Sequence, residues 1–390
     1  MQMKQLLKLA LIALLSAGLT ATVVACGDDE SDDTDNQEPN NQEPNNQENN
    51  QEPNNQTPNN GMPNHDDVVV APTCEDPDPP ERCAVDDAQA FEDFYPASYV
   101  TSLGIADENC CVDFDGDGEP NNGLGGLIGG LGGIANMDRD DVNELIQESI
   151  DDGSISIVLE HQGLEEFEAG AEFDINFLFA EDVDGGMATI DPASFEAGTH
   201  PLAQIPNAEI SDDDVVTAGP GTVFLSLDIG ALTGGEVDLD LELTISSALV
   251  EAEASLDGDL EDGVTLENGT IGGLLLLEDL ATIINDFAAD CECLGNPDEV
   301  LTIDDVDGSV QADCAFDLPE GSDDAPKACE DNDEEICALL GEFCGFVGIV
   351  NSFADVDTNN NNNTDAISVG LEFDAEGVSI SGVGEGLAPQ

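Results

Sequence analysis

The chain contains no tryptophan, two tyrosines and three histidines, and it sets only five lysines and arginines against 88 aspartates and glutamates. Each shortage closes off a class of function. Displacing the counterions of a phosphate backbone takes lysine and arginine, so nucleic acid is excluded as a partner. The lack of tryptophan and the two tyrosines argue against a carbohydrate platform of stacked aromatic rings. His65, His161 and His200 stand apart, with no HExxH spacing around them. There is no GxSxG elbow, no Walker A loop and no GxGxxG opening a helix after a strand. Paired carboxylates of the glycosidase kind occur throughout so acidic a chain and therefore single out nothing. The residues read as a protein without a catalytic site. The alternative is a secreted-side hydrolase using an unrecognised carboxylate pair.

What is present begins with an export signal. Lys4 and Lys8 precede an apolar stretch, Leu6 to Ala25, that ends in small residues. Val23-Val24-Ala25-Cys26 resembles the lipobox of bacterial lipoproteins, with Val23 where leucine is usual. That resemblance implies that residues 1–25 are removed and that Cys26 carries a diacylglycerol on its sulfur and an acyl group on its new amino terminus. Several acyl chains anchor stably, since each buried CH₂ contributes about 0.8 kcal/mol. The implied location is the bacterial envelope, at the outer membrane or cell surface rather than the inner membrane, with the bilayer as a partner through the lipid alone. Loss of the signal leaves Arg82, Arg139 and Lys327 as the remaining lysine and arginine residues. Such self-repulsion is tolerable at high salt, where screening acts over a few ångström. Divalent cations at particular loops would relieve it as well, and the two readings are compatible.

Residues 26–73 read as a tether. An acidic run is followed by QEPNN at 37, 42 and 51 with close variants between and after, a segment with nothing apolar to bury. A flexible chain of this length spans roughly 40 Å, enough to hold a folded body clear of the membrane. Residues 74–122 read as a Cys-rich cap and 123–390 as a β-rich domain. Strand alternation is plain at Ile155–Leu159, Phe173–Phe179, Val223–Ile229 and Val237–Ile245, with acids on the opposite face. After Ser246-Ser247 the phase flips, which needs a bulge or a turn. Ile367–Phe373 and Val378–Ile380 flank Ala375-Glu376-Gly377 as a short-loop hairpin. Apolar stripes at helical spacing mark helices near 137–152, 274–289 and 333–345. Together these give a mainly β body, an antiparallel β-sandwich or jelly roll with about three covering helices.

Beyond Cys26 there are ten cysteines: Cys74, Cys83, Cys110, Cys111, Cys291, Cys293, Cys314, Cys329, Cys337 and Cys344. An even number in an exported chain points to disulfides, and no pair has zinc-knuckle spacing with histidine near it. Cys110 and Cys111, being neighbours, are expected to seek different partners, and the four N-terminal cysteines to staple the cap among themselves. Cys337 and Cys344 lie roughly 10 Å apart on one helix face, too far to bond to each other. Their partners are sought among Cys291, Cys293, Cys314 and Cys329.

The sharpest motif is CVDFDGDGEPNN, Cys111 to Asn122. Asp113, Asp115 and Asp117 alternate, Gly118 permits a sharp turn, Glu119 offers a backbone carbonyl and Asn121 follows. Ca²⁺ takes six to eight oxygens at about 2.3–2.6 Å, which alternating aspartates around a glycine can wrap. The run is similar to the aspartate loops of EF-hand, dockerin and thrombospondin type 3 proteins. Where an EF-hand closes with a bidentate glutamate this chain has Leu124, so a last ligand must come from Asn122 or a distant acid. The glycine-leucine run that follows is not expected to form an EF-hand exit helix. A second, less charged loop holds Asp355, Asp357, Asn359, Asn361, Asn363 and Asp365. Both loops lead into hydrophobic segments, which suggests a related structural calcium use at two ends of the body. Asp182 and Asp184 before Gly185 are a weaker echo and read as a turn.

Overall fold

The computed structural model describes residues 94–116, 118–135, 139–196, 200–228, 240–289, 291, 300–303, 310–312, 337, 353–359, 361 and 363–384. The signal, Cys26, the tether, Asp117 and Cys74, Cys83, Cys293, Cys314, Cys329 and Cys344 lie outside these residues, as does the helix expected at 333–345 apart from Cys337.

The chain is mainly β. In order, its strands are β1 (Ala97–Ile105), β2 (Ile157–Gln162), β3 (Glu172–Asp184), β4 (Met187–Ile190), β5 (Phe195–Glu196), β6 (His200–Pro201), β7 (Ala203–Ile210), β8 (Val215–Asp228), β9 (Asp240–Ser255), β10 (Thr265–Leu276), β11 (Leu301–Ile303), β12 (Val310–Ala312) and β13 (Ala366–Val383). Three α-helices accompany them among the described residues: α1 (Gly123–Ala135), α2 (Arg139–Asp151) and α3 (Leu277–Ala289). Nine strands form one mixed sheet in the order β1-β2-β3-β4-β13-β10-β9-β8-β7, with further pairings β1–β13 and β3–β7. Those two pairings bring the sheet back on itself. The circuit β1-β2-β3-β7-β8-β9-β10-β13 closes on β1, and every pairing in it is antiparallel. β4 bridges the far ends of β3, antiparallel, and β13, parallel.

Period-two alternation decides what lies on each face. Val100, Leu159, Ile175, Ile205, Val216, Val250, Leu266 and Leu371 belong to the main core, all at most 4% exposed. The alternate residues Val158 and Leu178 join Ala188, Ile190 and Val378 in a second cluster beneath β4. A third, smaller cluster packs Phe114 and Val356 on Leu274 and Ala366 of β10 and β13.

Residues 97–105, assigned above to a cap, form β1 and are woven between β2 and β13. A register shift between Val100 and Ser102 breaks their alternation and hides the strand in the sequence. Past residue 99, where β2 no longer accompanies β1, α2 supplies the missing partners. Asn143 accepts from Ile105 N at 2.8 Å and donates to Ile105 O at 3.1 Å, and Gln147 donates to Thr101 O at 3.0 Å. The phase flip in β9 is a bulge: Ser247 adopts φ 52° and the register to β10 shifts nearby. The expected hairpin at Ala375-Glu376-Gly377 does not form. These residues run straight through β13, opposite Val100, Tyr99 and Ser98. Gly377 is there because a Cβ would meet Gly263 and Asp262 backbone at 3.0–3.1 Å, so the glycine marks close approach and not a turn. Residues 274–276 finish β10 against β13, and the second expected helix therefore starts at Leu277. Asp184 leads into Gly185 and Gly186, φ 61° and 82°, the two-residue turn between β3 and β4.

Two disulfides lie within the described residues. Cys291 and Cys337 are joined across a sequence separation of 46, so the partner of Cys337 is one of the four cysteines among which it was sought. Cys110 and Cys111 are bonded to each other. The expectation that these neighbours part, and that they staple a cap with Cys74 and Cys83, is therefore corrected.

Candidate functional site

The two acidic loops are not at opposite ends of the body. They lie side by side on the outer face of β10 and β13. The first is pinched shut by a bridge between Val112 and Asn121, with Asn121 N donating to Val112 O at 3.2 Å. Inside it Asp113 acts as the organiser: Oδ1 accepts from Gly116 N at 2.7 Å and Oδ2 from Gly118 N at 2.8 Å. Gly116 and Gly118 take φ 75° and 97°, values that glycine accepts without a steric penalty. Phe114 turns inward to the third cluster, while Asp115 and Glu119 are exposed. The second loop is closed by the Val356–Ala366 bridge. Asp365 accepts from Thr358 N at 2.8 Å, Thr358 Oγ1 at 3.0 Å and Asn359 Nδ2 at 2.6 Å. Asp357 and Asn359 accept from Asn361 N at 3.2 and 3.1 Å, and Asn361 accepts from Asn363 N at 2.8 Å.

The loops meet at Asp355. Asn121 Nδ2 donates to Asp355 Oδ2 at 3.0 Å across 234 residues of sequence. Asp355 also accepts from Ser368 N at 2.7 Å and from Ser368 Oγ. Burial pushes its carboxyl above the ordinary carboxylate range, the Ser368 hydrogen bonds oppose that, and the negative charge of Asp115 adds to it. A carboxylate raised by burial and by a second carboxylate is one that a cation would restore to the charged form. Among the described residues no three His, Cys, Asp or Glu side chains are already gathered around one point.

Asn122, named above as a possible last ligand, is committed elsewhere. At 2% exposure it caps α1, its Oδ1 accepting from Gly125 N at 3.0 Å and from Gly370 N at 2.9 Å. Its Nδ2 donates to Ala106 O and Gly370 O, both at 3.0 Å. One side chain thus clasps the loop to β13. The distant acid that meets the first loop is Asp355. The glycine-leucine run forms a helix, α1, starting directly after this cap, one that its apolar spacing did not announce. Its first amide, Gly123 N, donates to Ser368 Oγ at 2.7 Å, so Ser368 serves both the helix start and Asp355. Gly123 has to be glycine, since a Cβ would meet Phe353 O at 2.9 Å. The seat beneath the first loop is also bare. Gly272 and Gly370 are register partners, and side chains on them would meet Val112 at 2.4 Å and Asn122 at 2.9 Å. Asparagine before a helix and serine facing its first turn are capping signals, and they were the available clue.

Ser98 and His161 form a buried pair inside the main core, and Ser98 Oγ also donates to Val264 O. His161 packs edge-on against Phe173 with ring centroids 5.5 Å apart. Neither residue is exposed, so the pair is a structural one.

The described surface is acidic with little to neutralise it. Arg139 is the one lysine or arginine among the described residues and is paired with Asp107. Glu172 is the register partner of Glu209, and Glu253 of Glu267, all four exposed. The fold and loops define a mainly β, disulfide-bearing protein with two joined acidic loops. No family model, curated protein or solved structure matches the chain.

Proposed function

We propose that this is an exported protein, lipid-anchored to the bacterial envelope, whose joined acidic loops bind Ca²⁺ as a structural ion, and whose role is binding, adhesion or envelope architecture. The observation that carries the calcium reading is the meeting of Asn121, Asp115 and Asp355. It sets an acid from a distant segment against the incomplete aspartate loop, which supports the reading. Asp113 keeps the loop folded through Gly116 and Gly118, and a bound ion would draw on Asp115, Asp355 and the Asn121 carboxamide oxygen, which accepts from Phe114 N at 3.3 Å without the ion. The ion would supply charge neutralisation between two segments that otherwise repel. The anchor and the outward location rest on the lipobox resemblance and the tether composition.

The test is a thermal melt of the oxidised mature chain, metal-stripped and then with millimolar Ca²⁺ at fixed high salt. A ligand held only by the folded state stabilises it by RT ln(1 + [L]/Kd), about 2.7 kcal/mol at a hundredfold excess over Kd. The expected result is an upward shift that exceeds the one given by Mg²⁺ and disappears when Asp113, Asp115 and Asp117 are changed together to Asn. A melt unmoved by Ca²⁺ would reduce the loops to turns and assign the acidity to salt adaptation alone.

A further inference from the structure

The two disulfides among the described residues differ in what they can do. Cys291–Cys337 is buried, its cysteines 0% and 5% exposed, and it closes a loop with a sequence separation of 46. Such a bond constrains the unfolded chain and is shielded from solvent. Cys110–Cys111 closes no loop between distant segments, so it contributes nothing of that kind. Both its cysteines are half-exposed, and the bond lies directly before the first acidic loop.

We propose that Cys110–Cys111 is a thiol–disulfide exchange site for a small or protein dithiol, and that its redox state sets the geometry of the acidic loop and thereby its affinity for Ca²⁺. The coupling to Ca²⁺ rests on the calcium reading given above; the exchange site does not. In the exchange, a thiolate of the dithiol attacks Cys110 Sγ. The Cys110–Cys111 bond breaks with its electron pair passing to Cys111 Sγ, which takes a proton. The second thiol of the reductant then displaces Cys110 as a free thiol and closes its own disulfide. The protein gains two electrons and two protons, and the dithiol is oxidised by the same amount.

Packing converts that chemistry into movement. Two bonded sulfurs sit about 2 Å apart, whereas two thiols in van der Waals contact need roughly 3.5 Å or more. Cys111 cannot retreat into the sheet, because it already rests on Gly370, where even a Cβ would come within 3.0 Å of its sulfur. Cys110 is held by its amide to Asp107 O at 3.1 Å, and Asn122 N is held to Glu108 O at 3.0 Å. Separation of the sulfurs therefore lifts the segment carrying Val112 and Asp113 off its glycine seat. The Val112–Asn121 bridge that aims Asn121 at Asp355 opens with it.

The test uses the whole chain, oxidised, treated with graded dithiothreitol under native conditions. Three readouts are taken: alkylation of freed thiols mapped by mass spectrometry, hydrogen exchange at the Asn121, Asn122 and Gly370 amides, and Ca²⁺ titration. The expected result is alkylation of Cys110 and Cys111 while Cys291 and Cys337 stay protected. At the same dithiol concentration, exchange at those amides speeds by at least tenfold and Ca²⁺ affinity weakens by at least tenfold. A Cys110→Ser/Cys111→Ser chain should show the weakened affinity without dithiol and no further response to it. Reduction of Cys291–Cys337 before Cys110–Cys111 would overturn the exchange site. Reduction of the right pair with unchanged amide exchange would overturn the latch. An oxidised chain that binds no Ca²⁺ would sink the calcium reading and the coupling to it, leaving the exchange site and the latch to be judged on alkylation and hydrogen exchange.

Discussion

Ser98 Oγ lies 2.7 Å from His161 Nε2, and the hydroxyl's own proton goes to Val264 O. With that proton spent, the ring must donate at Nε2, which leaves Nδ1 as a bare nitrogen with no hydrogen-bond partner. The imidazole is therefore held neutral. Burial lowers its pKa to about 4.

Between pH 4 and pH 6.5 the unfolded chain binds a proton at His161 that the folded chain refuses. Stability from this residue is complete above pH 6.5 and is lost as pH falls toward 4, by on the order of 3 kcal/mol. Protonation of the repelling carboxylates works in the opposite direction, so the comparison must be between variants. Urea melts of the parent and of His161→Phe at pH 7 and pH 4.5 should show the parent losing more stability on acidification. Equal losses would mean that the imidazole is not buried as described.

Asn122 should be among the most costly side chains to remove. Replacement by alanine deletes the cap of α1 and strips Ala106 O and both backbone groups of Gly370 of a partner. A lost cap costs about 1 kcal/mol and an unsatisfied buried group about 1–3 kcal/mol more. A fall of about 3 kcal/mol in denaturant melts is expected for Asn122→Ala, against less than about 1 kcal/mol for Asn363→Ala in the exposed second loop.

The seven glycines of α1 are not equivalent. A side chain on Gly126 or Gly129 would meet nothing within 4 Å, whereas one on Gly125 would come within 2.7 Å of Ala106 O. Gly126→Ala and Gly129→Ala should each stabilise by about 0.5–1 kcal/mol, since alanine loses less entropy in a helix. Gly125→Ala should destabilise. The three melts together check whether the run is a helix in solution, because a loop would not order them this way.

Directly opposed glutamates on neighbouring strands work against the sheet. Glu267→Lys would turn the Glu253–Glu267 repulsion into attraction, a gain of about 0.5–1 kcal/mol at low salt. The gain should fade in molar salt, where the screening length is about 3 Å, while the parent itself becomes more stable. A parent melt insensitive to salt would argue against salt adaptation as the reason for the acidity.

The strands with unbroken alternation, such as Phe173 to Phe179, were legible because one face is buried and the other wet. The helix at 139–151 was legible from its stripe, its acidic first turn and Gly153 just beyond it. Three features misled. β1 carries a bulge that scrambles its period. Gly377 looked like a turn but reports a neighbour's backbone passing close by. α1 is more than half glycine, and tertiary capping by Asn122 and Ser368 makes it helical against its own propensity. The aspartate loop could be found from spacing alone. That it would meet Asp355 could not, because the contact depends on the register of β10 with β13, which local sequence does not encode.

The β1–β13 seam joins Ala97 to Val378, almost the whole length of the described chain. The ring of strands therefore cannot close until its last member exists and has arrived. A chain made or threaded from its amino terminus remains an open sheet with two unpaired edges through most of its emergence. It becomes a finished wall only when the final eighteen-residue strand is delivered. A truncation just before Ala366 should thus promote self-association as well as remove one strand, because the exposed edges of β1 and β10 would be left to find each other's counterparts in neighbouring copies.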